Sequence, residues 1–228
     1  MKTIINLFEE SVNKYPNNTY LWEKINDRFE PTTYKATYNE VKIMAAGLLS
    51  LGLKKDDKVA LLSEGRKHWV ISELAILYTG AVNVPLSIKL DGNDLVFRIT
   101  HSESNTIIVS GNQAPKIERI REKLPTVKQI IYLDPQTQYN ENDIYIGDVT
   151  KLGEEFIKNN PGKVEEISKS IEPAHYANIS YTSGTTADPK GIILSHRNYT
   201  ANVEQALTLM DIPESYRTLL ILPLDHCF

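Results

Sequence analysis

The chain has 228 residues, of which 41% are hydrophobic and 24% are charged, and its formal net charge is −4. This composition is typical of a globular protein with a buried core, and it excludes nucleic acid as the main partner because no basic surface is indicated. The single cysteine, Cys227, excludes an intrachain disulfide, and no apolar run approaches the length of about eighteen residues that predicts a membrane span. We therefore expect a cytoplasmic protein with at most peripheral membrane contact.

The N-terminal part predicts a helix, a strand and a second helix. Apolar residues at 4, 5, 7, 8 and 12 predict a helix over 4–15, and Thr19–Ile25 is typical of a strand. Thr37 and Glu40 have the spacing of a capping box, so the second helix is predicted to begin at Thr37. Gly52 is the expected end of that helix.

From Lys58 onward strands and helices alternate regularly. The predicted strands are 58–63, 81–86, 106–110 and 129–133. The helices predicted between them are 67–78, 91–101 and 115–124. This order predicts the α/β class, with a doubly wound, mainly parallel sheet flanked by helices on both faces.

The rest of the chain is predicted to contain a polar loop, further helices and three strands. The expected order is a loop over 135–143, helices over 149–160 and 164–171, strands over 177–181 and 191–195, a helix over about 199–210 and a strand over 219–222. The chain stops soon after this last apolar run, at Phe228, without a polar tail. We therefore expect it to be the leading part of a longer protein.

The connection between the strands 177–181 and 191–195 is rich in phosphate-binding groups. It contains the hydroxyl side chains of Thr182, Ser183, Thr185 and Thr186, together with Gly184 and Lys190. Glycine lets backbone N–H groups approach a ligand, hydroxyls add donors and lysine adds a positive charge. A polar surface connector has a similar composition, but the order of these residues favours a loop that holds polyphosphate.

The loop does not fit the Walker pattern of nucleotide-binding proteins. Counting from Gly184, Pro189 occupies the position of the second glycine, and Gly191 follows Lys190 where a Ser or Thr is required. The following segment is predicted to be a strand, whereas a helix follows a Walker loop. A different phosphate-binding motif is therefore indicated.

The segment Tyr181–Gly191 resembles the signature loop of the adenylate-forming superfamily, which includes acyl-CoA synthetases, luciferases and peptide-synthetase adenylation domains. The usual pattern, Y-T-S-G-T-T-G-x-P-K-G, is matched at each fixed position except Ala187, where the family has glycine. Alanine is compatible with the loop if its φ is negative, so this departure concerns the mobility of the loop more than its identity.

The resemblance implies roles for the loop residues in binding ATP. Lys190 is implied to neutralise the leaving pyrophosphate, and Thr182 also to reach Mg²⁺. The residues that the resemblance assigns to the β- and γ-phosphates are Thr182, Ser183, Gly184, Thr185 and Thr186.

The last seven residues resemble a second family segment, Leu-Pro-Leu-x-His-x-Phe. The resemblance implies that His226 lines the channel where the carboxylate meets the nucleotide. A Cys–His nucleophile formed by Cys227 and His226 is less favoured, because adjacent residues on a strand point to opposite faces. The other four histidines, at 68, 101, 175 and 196, lack the spacing of metal ligands and are interpreted as surface or packing residues.

The whole chain is interpreted as a partial AMP-binding N-terminal domain. Residues 37–215 are expected to form most of a first α/β subdomain, and residues 1–36 and 216–228 to belong to a neighbouring one. The resemblance implies ATP-dependent activation of a carboxylic acid, such as a long-chain fatty acid, through an acyl-adenylate to a thioester of CoA. The chain alone is expected to be inactive. A ligase for aryl acids or amino acids, and a non-catalytic nucleotide-binding or assembly module, remain as alternatives.

Overall fold

The computed structural model describes residues 2–182 and 189–225 of the chain. Its helices are α1 Ile4–Lys14, α2 Tyr34–Ser50, α3 Lys67–Tyr78, α4 Gly92–His101, α5 Ala114–Ile120, α6 Ile146–Asn159, α7 Lys163–Lys169 and α8 His196–Leu209. Its strands are β1 Thr19–Ile25, β2 Arg28–Thr33, β3 Lys58–Leu62, β4 Val82–Pro85, β5 Thr106–Val109, β6 Gln129–Tyr132, β7 Ile144–Tyr145, β8 Tyr176–Tyr181 and β9 Gly191–Ser195.

The seven strands from β3 to β9 form one sheet in the order β7-β6-β5-β3-β4-β8-β9. Neighbouring strands are parallel except for β9, which runs antiparallel to β8. Helices cover both faces, so the predicted doubly wound, mainly parallel α/β architecture is confirmed.

The two faces of the sheet are buried under different helices. Val59 and Leu61 of β3 pack with residues of α1, α2, α3, α6 and α7, and we call this side the α3 face. Ala60 and Leu62 point the other way and pack with α4 and α5, on the side that we call the α4 face. Strand side chains alternate between faces, and since both faces are covered, the central strands are predominantly apolar.

Two glycines allow α2 and α6 to pack closely on the α3 face. A Cβ atom at Gly153 would lie 2.0 Å from the carbonyl oxygen of Ile43, and one at Gly47 would lie 2.3 Å from that of Val149. Since real Cβ atoms do not come so close to backbone, both positions require glycine at this helix crossing.

The beginning of α2 differs from the prediction. The helix begins at Tyr34, and Thr33 caps it by accepting a hydrogen bond from the Ala36 N–H at 3.1 Å. Thr37 instead lies buried within the first turns and donates its hydroxyl to the Thr33 carbonyl. The Thr37–Glu40 pattern was wrong as a start signal because a competing threonine four residues earlier takes the capping role. Helices α6 and α8 likewise begin three residues before their predicted starts.

Two strands of the structure, β2 and the short β7, were not predicted from the sequence. Strand β2 forms an antiparallel hairpin with β1, and the turn between them uses Asn26 and Asp27 with φ angles of 48° and 61°. Asn and Asp tolerate such left-handed conformations, which a two-residue hairpin turn requires. The strand was not predicted because it contains Pro31 and is mostly polar, which is not typical of a strand.

The strand predicted over 219–222 is wrong. These residues lie outside every strand of the described chain, and their side chains are exposed. An apolar run predicts a buried strand only when another strand is available to pair with it.

Candidate functional site

Strands β8 and β9 hold the two ends of the predicted phosphate loop. They pair antiparallel, with Tyr181 opposite Gly191. The ladder continues one step further, where the Thr182 N–H donates to the Lys190 carbonyl at 3.1 Å. The predicted strands and the hairpin that joins them are therefore confirmed, and Thr182 and Lys190 stand opposite each other at the base of the loop.

The geometry of the strands fixes the side to which these two residues point. Tyr181 lies on the α4 face, where its ring packs against Phe97 and the guanidinium of Arg98. Side chains alternate along a strand, and directly opposed residues of an antiparallel pair point to the same side. Thr182 and Lys190 are therefore directed together to the side of the α3 face.

Both residues are exposed, so the hydroxyl of Thr182 and the ammonium of Lys190 are accessible to a ligand. An ammonium beside a hydroxyl donor is a suitable pair for phosphate oxygens. Four other predicted binding residues, and the predicted catalytic His226, lie outside the described part of the chain. These residues are Ser183, Gly184, Thr185, Thr186 and His226.

Gly191 allows the hairpin to close tightly at the base of the loop. A Cβ atom at this position would lie 3.2 Å from the Ile179 side chain and 3.3 Å from the Tyr181 ring. The Tyr181 hydroxyl is in turn joined to His101 Nδ1 at 2.9 Å, and burial raises the pKa of the phenol. These contacts fix the end of β8 against α4.

A cavity of about 440 Å³ lies on the α3 face beside β8. Its walls are largely apolar, with polar groups from α3, β8 and α8. The lining residues are Trp69, Glu73, Pro85, Asn178, Tyr199 and residues 218–224. Concave, mostly apolar cavities of this kind are where small ligands bind, so this cavity is a candidate substrate site.

A second cavity, of about 380 Å³, lies at the end of the sheet where the parallel strands begin. It is lined by residues that precede β3, β5 and β6, including Lys54, Asn105 and Lys128. Ligands of open α/β sheets bind outside the carboxyl ends of the strands. The first cavity is therefore the better candidate for a substrate site.

Glu73 provides the carboxyl group of the first cavity. Burial raises the pKa of its carboxyl to about 7, and the hydrogen bond from Asn83 Nδ2, at 3.1 Å, opposes that rise. The indole N–H of Trp69 is buried and has no hydrogen-bond partner in the described chain. The cavity thus combines apolar walls with a few polar groups, as small-molecule sites do.

The exit from β9 is anchored to the first residues of the chain. Ser195 and Asn198 form a capping box at the start of α8. The buried His196 accepts a hydrogen bond from the Ile4 N–H at 3.4 Å, and Thr200 donates to the Lys2 carbonyl at 3.1 Å. Burial lowers the pKa of His196 to about 4, so this imidazole is neutral at physiological pH, in line with its interpretation as a packing residue.

The described residues contain no cluster of three acidic, histidine or cysteine side chains suited to a metal ion. Thr182, the residue predicted to contact Mg²⁺, lies within the described residues and offers one hydroxyl oxygen. A divalent ion at this place would depend on phosphate oxygens and water for most of its coordination. Within the same residues, no helix has both the length and the apolar character needed to cross a membrane.

Three polar residues at or beside this cavity were not predicted from the sequence: Glu73, Asn83 and Asn178. Asn83 and Asn178 are polar residues in the middle of apolar strands, and both are buried. A lone amide within an apolar run is the signal that would have identified them, because a buried polar side chain needs a partner.

Known proteins share the sequence pattern of this chain. The model of the AMP-binding enzyme family matches residues 8–228. The long-chain-fatty-acid–CoA ligase ACSBG2 of Xenopus laevis is 29% identical over 98% of the chain and 31% of its own length. Fatty acyl-CoA synthetase A of Dictyostelium discoideum is 32% identical over 86% of the chain and 29% of its own length. The chain spans about a third of the length of these relatives.

Solved structures share the fold. The N-terminal domain of FACL13 from Mycobacterium tuberculosis, solved with an inhibitor, has a TM-score of 0.82 and 24% identity, over 99% of this chain and 52% of that one. The anthranilate CoA ligase AuaEII, solved with anthranoyl-AMP, has a TM-score of 0.72 and 23% identity, over 89% and 36%. With the family model matching nearly the whole sequence, these findings establish that the chain belongs to the AMP-binding enzyme family.

Proposed function

We propose that the protein containing this chain activates a carboxylic acid, specifically a long-chain fatty acid, with ATP. A carboxylate oxygen attacks the α-phosphorus, the bond to pyrophosphate breaks, and an acyl-adenylate forms. The thiol of CoA then attacks the acyl carbon and AMP leaves. The observation that supports this most is the pairing of Thr182 with Lys190 across the base of the loop.

The first step brings two anions together, which requires positive charge and oriented dipoles. Two unit charges 4 Å apart repel by about 4 kcal/mol at an effective dielectric of 20. In this proposal the ammonium of Lys190 offsets the repulsion and stabilises the charge that develops on the leaving pyrophosphate. Mg²⁺ bound to the phosphates would supply further neutralising charge. Among the described residues, Thr182 is the one that we assign to contact with this ion.

The loop residues complete the proposed phosphate site. We assign Ser183, Gly184, Thr185 and Thr186 to the β- and γ-phosphates through their N–H and hydroxyl groups, and His226 to the channel for the carboxylate. The cavity beside β8 provides the apolar surface for the acid. The names of relatives such as the ACSBG2 ligase support a fatty acyl substrate.

Replacement of Lys190 tests the loop assignment. In the complete protein, we expect Lys190→Ala to lower the rate of pyrophosphate release about 10²-fold, because one fixed positive charge at the leaving group is lost. Lys158→Ala is the matched control, since Lys158 is exposed on α6. An unchanged rate in Lys190→Ala would overturn the assignment.

A panel of acids separates fatty acyl from aryl and amino acid ligases. Exchange of labelled pyrophosphate into ATP is measured with a long-chain fatty acid, anthranilate and a set of amino acids. The anthranilate CoA ligase among the structural neighbours makes an aryl acid the second candidate. Exchange with the fatty acid supports the proposal, whereas exchange with another acid alone moves it to that class, and exchange with none contradicts ligase activity.

The thiol acceptor and the activity of the isolated chain are tested separately. A relative from Arabidopsis thaliana is a ligase for the acyl carrier protein, so thioester formation is compared with CoA and with that protein as acceptors. We propose that the 228-residue chain by itself does not complete the reaction, because it spans about a third of its relatives. Formation of acyl-AMP by the isolated chain would contradict this. ATP binding without any acid-dependent reaction in the complete protein would favour the non-catalytic module.

A further inference from the structure

The first cavity combines apolar walls with a carboxyl group. Trp69 and Glu73 line it from α3, and because they are four residues apart they lie on the same face of that helix. Pro85 and the segment 218–224 are among the other lining residues. Of the described residues that line the cavity, Glu73 is the one with a charged side chain. A ligand that fills this space therefore meets a carboxyl group as well as apolar side chains.

Glu73 has no cationic partner in the described chain. Its Oε1 accepts the hydrogen bond from Asn83 Nδ2, and burial and this bond are the two causes that shift its pKa. Burial, with Tyr34 and Glu73, raises the pKa of Tyr20 on β1 to about 12, so this nearby phenol is neutral. The protein thus satisfies one carboxylate oxygen of Glu73, whereas no described residue donates a hydrogen bond to the other, Oε2.

The second oxygen of Glu73 limits which ligands fit the cavity. Before a ligand binds, water can hydrate a carboxylate in such a place, but an apolar ligand displaces that water. Displacement by a group that cannot replace the hydrogen bond lowers affinity, and a buried charged group left without a donor is especially costly. A plain alkyl chain offers no donor, and a second carboxylate would be repelled by the first. The carboxyl group therefore favours a ligand that carries a donor on an otherwise apolar body.

We propose that the first cavity binds an apolar molecule that carries a hydroxyl or a protonated amine, and that Glu73 Oε2 accepts the hydrogen bond of this donor group. The apolar part of the ligand packs against Trp69 and the leucines of the segment 218–224. For the activated acid, a step that rests on the proposed function, this means a hydroxyl or amino substituent on the chain, away from the carboxylate that reacts with ATP. A site built to bind such a substituent rejects the analogue without it.

Binding of three matched probes tests the inference without any reaction. Octanol, octylammonium and octyl methyl ether share an alkyl chain, but the ether accepts hydrogen bonds and donates none. In a Trp22→Phe protein, Trp69 is the only tryptophan, so its fluorescence reports occupation of the cavity. We expect octanol and octylammonium to bind about 10-fold more tightly than the ether, because each donates a hydrogen bond to a charged group. The tighter of the two identifies the donor. Equal affinities of all three probes, or no binding of any, would overturn the inference.

Replacement of Glu73 shows whether this side chain causes the preference. Glu73→Leu should abolish the difference between octanol and the ether. In Glu73→Gln, Asn83 holds the amide oxygen and the amide nitrogen faces the cavity, so the ether should bind as tightly as octanol and octylammonium should be rejected. Glu154→Gln, on the exposed side of α6, is the matched control and should bind all probes as the wild type does. A preference for octanol that persists in Glu73→Leu would overturn the assignment to this residue.

Kinetics of the complete protein connect the cavity with the substrate. Pyrophosphate exchange is measured with a set of long-chain acids hydroxylated at different carbons and with the unsubstituted acid of the same length. We expect at least one hydroxylated acid to have a KM about 10-fold lower than the unsubstituted acid, and Glu73→Leu to remove this difference. Equal KM values throughout the set would overturn the substituent as a feature of the substrate. Exchange with no acid would instead contradict the proposed function, and the probes would still decide the ligand class of the cavity.

Discussion

The parallel strands and the β8–β9 hairpin belong to one sheet, but they are held in different ways. Strands β3, β4, β5 and β6 are buried on both faces and pair with neighbours over most of their length. The hairpin lies at one edge, pairs with β4 at one registered position and exposes Ile192 and Ile193. The parallel strands are therefore enclosed by helices on both faces, whereas the candidate phosphate site is carried by an edge hairpin with partly exposed side chains.

Truncation of one apolar side chain in each region tests this difference most directly, through the free energy of unfolding that is lost. Leu61 is fully buried in β3, and we expect Leu61→Ala to lower the free energy of unfolding by about 3 kcal/mol through lost contacts and a cavity. Ile193 is 52% exposed in β9, so Ile193→Ala should cost less than about 0.5 kcal/mol. Denaturant unfolding of both variants measures the difference. Equal losses would refute the contrast.

The pH dependence of the free energy of unfolding tests the role of His196, which begins α8 directly after β9. The pKa of His196 is lowered by burial to about 4, so the unfolded chain binds a proton at a higher pH than the folded one. Stability from this group is therefore lost as pH falls from about 6.5 to 4, by about 3 kcal/mol in all. Unfolding of wild type and His196→Gln is compared across this range, with His101→Gln as an exposed control. Identical pH profiles for wild type and His196→Gln would contradict the assignment.

The close contact of α2 and α6 is expected to contribute to the stability of the helical layer on the α3 face. Gly153→Ala places a Cβ atom against the Ile43 carbonyl, and we expect a loss of about 2 kcal/mol from overpacking. Glu154→Ala, at the exposed neighbouring position, is the control. Thermal unfolding measures both variants, and a Gly153→Ala protein as stable as wild type would show that the two helices separate easily.

The smallest expected effect concerns the turn that leads into β4, the strand that meets the hairpin. Gly80 has a φ angle of 78°, a conformation that other residues seldom adopt, and a Cβ atom there would lie 3.2 Å from the Lys55 side chain. We expect Gly80→Ala to destabilise the protein by about 1 kcal/mol. Denaturant unfolding is the measurement. A loss below a few tenths of a kcal/mol would mean that the turn adapts without strain.

The parts of the fold that the sequence predicted are those with a strong local pattern. Helix α3 and strands β1 and β9 have the predicted bounds, because apolar periodicity and breaker residues determine them locally. The capping residue of α2 was wrong, since two threonines compete for one role and packing decides between them. The error at 219–222 has a related origin, because whether an apolar run becomes a strand depends on a partner that local sequence does not specify.

The candidate site divides in the same way. Thr182 and Lys190 were predicted from an ordered motif, and the hairpin at their base is confirmed. Their proposed roles, like those of the loop residues 183–186 and His226, stay predictions. Glu73 and Asn83 were missed because they are ten residues apart on different elements, and only folding brings the carboxyl and the amide to 3.1 Å.

The contacts between α1 and α8 have a consequence for the synthesis of the chain. The hydrogen bonds of Ile4 with His196 and of Lys2 with Thr200 join residues 192 and 198 positions apart. At a translation rate of roughly 5–20 residues per second, about 10–40 seconds separate the appearance of the two partners. Helix α1 thus leaves the ribosome well before the helix that fixes its first residues, and α2 and α3 are the earlier elements that pack against its apolar side.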